Sequence, residues 1–153
     1  MTISTARAAI SHGPKPNPPF LTLSEILIRE PTAGEAVIDV LATHIRSYAS
    51  EILDGTREFP KILPSVPGSG AVGRIRSIGP GNTILQPGQL VVLDPTFRAR
   101  DNVVAPAAII SGLLAPGPAG ESLQSVWLNG SWAEKMVVPV ENLVRMKKRS
   151  IHI

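Results

Sequence analysis

Gly68-Ser69-Gly70-Ala71-Val72-Gly73 is the run in this 153-residue chain whose residue types and spacing point most directly to chemistry. It fits G-x-G-x-x-G, in which glycines let the backbone turn closely around a pyrophosphate, and Asp94 lies where a ribose-binding acid would be wanted. That chemistry needs a strand directly before the first glycine and a helix directly after, whose N-terminus holds the phosphates. Neither flank supplies it. Pro60, Pro64 and Pro67 precede the run, and Gly79, Pro80, Gly81, Pro87 and Gly88 follow before a useful helix could form. The glycines are better assigned to tight turns and close approach between backbones. Metal chemistry is also poorly provided for: cysteine is absent, and His12, His44 and His152 lie too far apart in sequence to suggest one ligand set.

The elements that would position such residues are mostly strands. Leu21 to Ile28 leads through Glu30-Pro31-Thr32-Ala33-Gly34 into Glu35 to Leu41, where Ala36, Ile38 and Val40 alternate with Glu35, Val37 and Asp39. Ser47 to Leu53 reads as one or two helical turns, with Ser47 as N-cap and Gly55 past the end. After the Pro-rich passage from Phe59 to Pro67, strands are expected over Ala71 to Ile78 and Gln89 to Leu93. Asp94 to Gln124 has no clear pattern, although Val103 to Leu114 is apolar enough for a short shielding helix or an oligomer contact. Asp94, Arg98, Arg100 and Asp101 are candidates to pair with one another there, or to be solvated. Asn129-Gly130-Ser131 satisfies a glycosylation sequon, but Asn-Gly between apolar runs reads first as a hairpin turn. Strands over Ser131 to Val138 and up to Met146 close the pattern.

Composition agrees with this architecture. Fifteen prolines and 13 glycines punctuate short elements, and 43% apolar residues suffice for a core. The expectation is a mainly β, partly open barrel with a few short helices. The net charge of +3 invites a nucleic-acid reading, but Arg145, Lys147, Lys148 and Arg149 carry it; the remaining 11 basic residues against 12 acidic leave −1. With 4% aromatic residues there is little to stack on bases, so no nucleic-acid partner is expected. No apolar run is long enough for a membrane helix, and the region before Glu25 has too few arginines for a transit peptide. A cytoplasmic protein is expected.

Several motifs in order resemble the N-terminal domain of medium-chain dehydrogenases/reductases, the alcohol dehydrogenase-like superfamily. They are Gly34-Glu35-Ala36-Val37-Ile38-Asp39-Val40, Pro67-Gly68-Ser69-Gly70-Ala71-Val72-Gly73, Gly79-Pro80-Gly81, Pro87-Gly88-Gln89-Leu90-Val91 and Gly130-Ser131-Trp132-Ala133-Glu134-Lys135. The resemblance implies a GroES-like barrel over residues 1–146, with Arg7 to Ile10 as its first strand. It makes 147–153 a basic tail, disordered or the start of a coenzyme domain that is expected to be missing.

The same resemblance implies chemistry. NAD(P) is the family's cofactor, held by a Rossmann domain while the barrel supplies the substrate side. In zinc-dependent members the position of Arg46 is a cysteine ligand and that of Ser69 a histidine ligand. A guanidinium cannot bind the metal, and the four-cysteine structural zinc loop has no counterpart. The expectation is no metal ligand and no zinc, as in the quinone and enoyl reductases of the family, which act on small carbonyl, quinone or enoyl substrates. Tyr48, with neighbouring Ser47, falls where zinc enzymes keep a hydroxyl that touches the substrate oxygen; the alternative is a tyrosine packed on the barrel with its hydroxyl in water. Arg46 is the candidate to meet a cofactor phosphate or substrate carboxylate, against a plain surface role. Alone, the chain is expected to be inactive; a homo-oligomer is compatible with it. The rival reading is a non-catalytic barrel used as a binding or scaffold module.

Overall fold

Strands dominate because the apolar residues recur every second position between turns rich in Gly and Pro. The computed structural model describes residues 3–14, 20–101 and 103–147. The tail from Lys148 onward, with His152, lies outside the described residues.

In chain order the elements are β1 (Ser4–Ser11), β2 (Leu21–Ile28), β3 (Glu35–Ala42), α1 (Ala49–Leu53), β4 (Ala71–Ile78), β5 (Leu90–Leu93), β6 (Thr96–Arg98), β7 (Ala108–Ile110), α2 (Gly117–Val126), β8 (Lys135–Pro139) and β9 (Leu143–Arg145). A five-stranded antiparallel sheet runs β8-β3-β4-β5-β9, with two-stranded sheets β1-β2 and β6-β7 beside it. The result is a mainly β, partly open barrel. No helix among the described residues is long and apolar enough to cross a membrane.

β3 is the centre of the arrangement because both of its faces are covered. Ala36 and Ile38 point into the main core with Ile75, Val91, Phe97, Met136 and Val138, whereas Val37 joins Ala6 and Ile28 beneath the β1-β2 hairpin. An outward valine is thus as deeply buried as its inward neighbours, which explains why the alternation there is not strictly apolar and polar. Phe97 meets Trp127 edge to face at 5.7 Å, a contact worth about 1 kcal/mol beyond area burial that joins β6 to the end of α2 within the β6-β7-α2 lobe, and both rings belong to the main core. The pairing of β3 with β4 shifts register between Val40 and Ala42. Such a bulge bends a strand, here just before Thr43 and His44 leave the sheet.

The stretch from Asp94 to Gln124 corrects the sequence reading. Val103 to Leu114 forms no helix: Val103 and Val104 are exposed, Ile109 belongs to β7, and the helix α2 begins only at Gly117. Arg100 pairs with Glu141 and donates to the Gly34 carbonyl at 2.7 Å, not to Asp94 or Asp101. Asp94 instead accepts from the backbone N–H of Thr96. Ser47 is not a helix cap, since α1 starts one residue later with Tyr48 at the N-cap position.

Asn129-Gly130 does not connect two strands either, because α2 precedes it and β8 begins only at Lys135. The intervening backbone is used elsewhere: Gly130 N–H donates to Val66, Ser131 N–H to Gly68, and Trp132 N–H to Pro67.

Candidate functional site

Three backbone segments converge on Gly68-Ser69-Gly70. Gly68 and Gly70 adopt φ of +100° and +78°, which favour glycine, and β4 rather than a helix follows. A methyl group on Gly112 would sit 2.2 Å from the Gly68 carbonyl oxygen, and one on Gly130 would sit 2.3 Å from the same atom. Only three glycines allow these chains to pass so closely. The G-x-G-x-x-G run is a packing device, as its flanks implied, and these residues do not form a dinucleotide cradle.

Beside this crossing lies a narrow cleft of about 30 Å³, room for about two waters. Its walls combine apolar Ile52, Leu53, Leu113 and Trp132 with Arg46, Lys61, His44 and Ser69. Arg46 is held by hydroxyls: its Nη1 donates to the Tyr48 hydroxyl at 3.1 Å and its Nη2 to Ser69 Oγ at 3.0 Å. Its Nε is buried without a partner. Ser69 is itself buried, and Thr43, whose hydroxyl is 2.7 Å from Ser131 Oγ, donates to the Gly70 carbonyl beside it. Trp132 Nε1 donates to the His44 carbonyl at 3.3 Å and so ties the cleft wall to the end of β3.

Lys61 comes from the Pro-rich passage, which has no regular structure yet is firmly anchored. Ala115 N–H donates to the Pro60 carbonyl at 2.7 Å. The buried Gln124 of α2 accepts from Ile62 N–H at 2.6 Å and donates to the Ile62 carbonyl at 3.2 Å. Both neighbours of Lys61 are therefore fixed, and burial pushes its ammonium below the usual lysine range. Sequence reasoning missed this residue, because a lysine among prolines carries no pattern; the signal lies in Gln124, 62 residues beyond Ile62 and buried where a glutamine needs partners.

The structure brings together some of the candidates. Arg46 and Ser69 share the cleft, while Tyr48 sits behind Arg46, its ring stacked on Phe59 at 6.2 Å and covered by the Arg57 guanidinium at 4.8 Å. Its hydroxyl accepts from Arg46, which leaves the phenolic proton free to be donated. Ser47 is exposed and is not among the cleft-lining residues. His12 bonds Thr22 in the β1-β2 hairpin, away from His44.

At the two positions where the resemblance expects zinc ligands, Arg46 and Ser69 do not suit the metal, although His44 also lines the cleft. A guanidinium donor and a serine hydroxyl already accepting from it offer the metal neither thiolate nor imidazole. Among the described residues, no group of three or more His, Cys, Asp or Glu side chains comes together.

Residues 24–148 match the alcohol dehydrogenase GroES-like domain. The chain belongs to this family. An alcohol dehydrogenase class-3 of Zea mays is 33% identical over 100 residues, which are 63% of this chain and 24% of that protein. The GroES-like domain described here thus spans about a quarter of that relative's length. Among solved structures, it superposes on CAD from Helicobacter pylori, complexed with NADP(H), with a TM-score of 0.73 at 12% identity, covering 97% of this chain and 43% of that one. On a quinone oxidoreductase from Pseudomonas syringae the TM-score is 0.58 at 18% identity, covering 94% and 34%. At these identities the structures support the fold of the GroES-like domain.

Proposed function

We propose that this domain is the substrate side of a zinc-independent NAD(P)-dependent oxidoreductase acting on small carbonyl, quinone or enoyl compounds. The observation that carries the reading is the Arg46–Ser69 hydrogen bond, because it joins the two positions at which zinc-dependent relatives are expected to hold their metal. A half-buried cation there repels a second cation. Polarisation of a substrate oxygen then falls to hydrogen-bond donors, and Tyr48, whose hydroxyl accepts from Arg46, has its own proton to give. Arg46 orients that hydroxyl and favours negative charge developing beside it. A nicotinamide coenzyme would supply hydride, but the residues described here do not form its phosphate cradle, so the domain is proposed to be inactive by itself. In this reading it is cytoplasmic, with neither nucleic acid nor membrane as partner.

Metal analysis of the purified chain tests the central point. We expect zinc well below one equivalent after dialysis against zinc and removal of excess, and stoichiometric zinc would overturn the reading. In the same preparation, NADPH should not be consumed with quinones or enals; sustained turnover by the 153 residues alone would show that they are more than a substrate side.

A further inference from the structure

The cleft holds two cations and, among its lining residues, no acid. Elsewhere five exposed arginines, Arg7, Arg29, Arg57, Arg76 and Arg100, each pair with a carboxylate, although water alone could solvate them. Glu51, on the helix that borders the cleft, directs its carboxylate to Arg57 and so does not serve Arg46. Arg46 is met instead by two neutral hydroxyls, with its Nε–H shielded and unpartnered. Lys61 is presented to the same space by a backbone pinned on both sides. Holding two half-buried positive charges in one cleft with no counter-charge carries a cost, and a protein commonly does so where a ligand supplies the missing anion.

From this juxtaposition we infer that the cleft binds the carboxylate of a small apolar acid, between Arg46 and Lys61. The guanidinium fork and the ammonium would take the two oxygens, with Ser69 as a further hydroxyl. The free volume suits a carboxylate head and no more, so that an apolar tail would extend out of the cleft past walls that include Ile52, Leu53, Leu113 and Trp132. The inference rests on reading this domain as a substrate side, and deepens it: the substrate would be an acid, or carry a carboxylate beside its reducible group. A phosphate of a coenzyme offers similar oxygens and is the other source to be distinguished.

The test is a titration of the isotopically labelled full chain, read by nuclear magnetic resonance at Arg46 Nε–H and Trp132 Nε1–H. The probes are sodium crotonate, neutral crotonamide and inorganic phosphate, at constant ionic strength. We expect saturable shifts with crotonate at least about tenfold tighter than with crotonamide, the usual margin for a charge-assisted contact. Arg46→Met and Lys61→Met should each weaken crotonate roughly tenfold, and Arg98→Gln, on an exposed strand position, should leave it unchanged. If Arg46→Met fails to fold, Lys61→Met carries the test. Equal binding of crotonamide, or indifference of crotonate affinity to Lys61→Met, overturns the inference. Phosphate saturating in preference to crotonate overturns the carboxylate assignment and points to the coenzyme. Zinc in the sample would sink the zinc-independent reading; its absence with no preference for crotonate would sink only this inference.

Discussion

Arg100 and Arg46 mark two regions of one domain, and each is an arginine near a tryptophan, the first exposed and the second half-buried. In the lobe, Arg100 is fully engaged: it makes two hydrogen bonds to Glu141, one to the Gly34 carbonyl, and lies 5.6 Å from the centre of the Trp127 ring. In the cleft, Arg46 has two hydroxyls, no carboxylate and one idle N–H. The lobe's arginine is neutralised by a carboxylate, whereas the cleft's arginine meets only neutral partners. Completeness is what stability selects for; incompleteness held in place by anchored backbone is what binding requires.

The comparison can be broken most severely at the glycine crossing that both regions share. Gly112→Ala places a methyl group 2.2 Å from the Gly68 carbonyl at a positive φ, and should cost about 3 kcal/mol or more, measured by urea unfolding. Next is Glu35, a buried acid at the lobe's edge. It accepts from both Arg29 terminal nitrogens and from Thr32 N–H, and the Arg29 hydrogen bonds do most to hold its carboxyl at about 2. Its folded pKa is depressed below the reference value of 4.5, so its contribution is present above that value and is lost as pH falls toward 2. Glu35→Gln should lower stability at pH 7 by about 2 kcal/mol and flatten the loss between pH 4.5 and 2, as followed by thermal melts across that range.

The smallest effects sharpen the contrast itself. Arg100→Met should cost about 1 kcal/mol, since it removes a networked ion pair and a stacking contact. Arg46→Met should change stability by about 0.5 kcal/mol or less, because it gives up two hydrogen bonds to neutral hydroxyls while relieving an unneutralised cation. Equal losses in the two variants, measured by chemical denaturation, would mean that the cleft arginine is as structural as its counterpart.

How much of this was legible in the sequence depends on where each residue's partners lie. β2, β3 and β4 follow from local periodicity and turn chemistry, and their bounds lie within a residue of expectation. Helix α2 was invisible because Gly117, Pro118 and Gly120 argue against a helix. Pro118 nevertheless sits in the first turn, where its missing N–H costs nothing, and a side chain at Gly120 would strike the Ala115 carbonyl carbon at 2.8 Å. The expected strand from Ser131 starts late because Ser131 and Trp132 spend their N–H groups on Gly68 and Pro67, a long-range choice that no local pattern encodes. The resemblance located Arg46, Ser69 and Tyr48 by position, whereas the bonds from Arg46 to both of the others depend on the tertiary fold. Lys61 required the tertiary pairing of Ile62 with Gln124.

That pairing has a consequence for motion. A proline-rich coil is ordinarily the part of a domain whose amides trade hydrogen with water fastest. Here the amides of Ile62, Ser65 and Val66 are donated to Gln124, Ser11 and Asn129, so the passage should exchange with the protection of the elements that hold it. The segment that carries the cleft's lysine is a coil by shape that should behave as a rigid strut, opening when α2, β1 and the Asn129 loop let go.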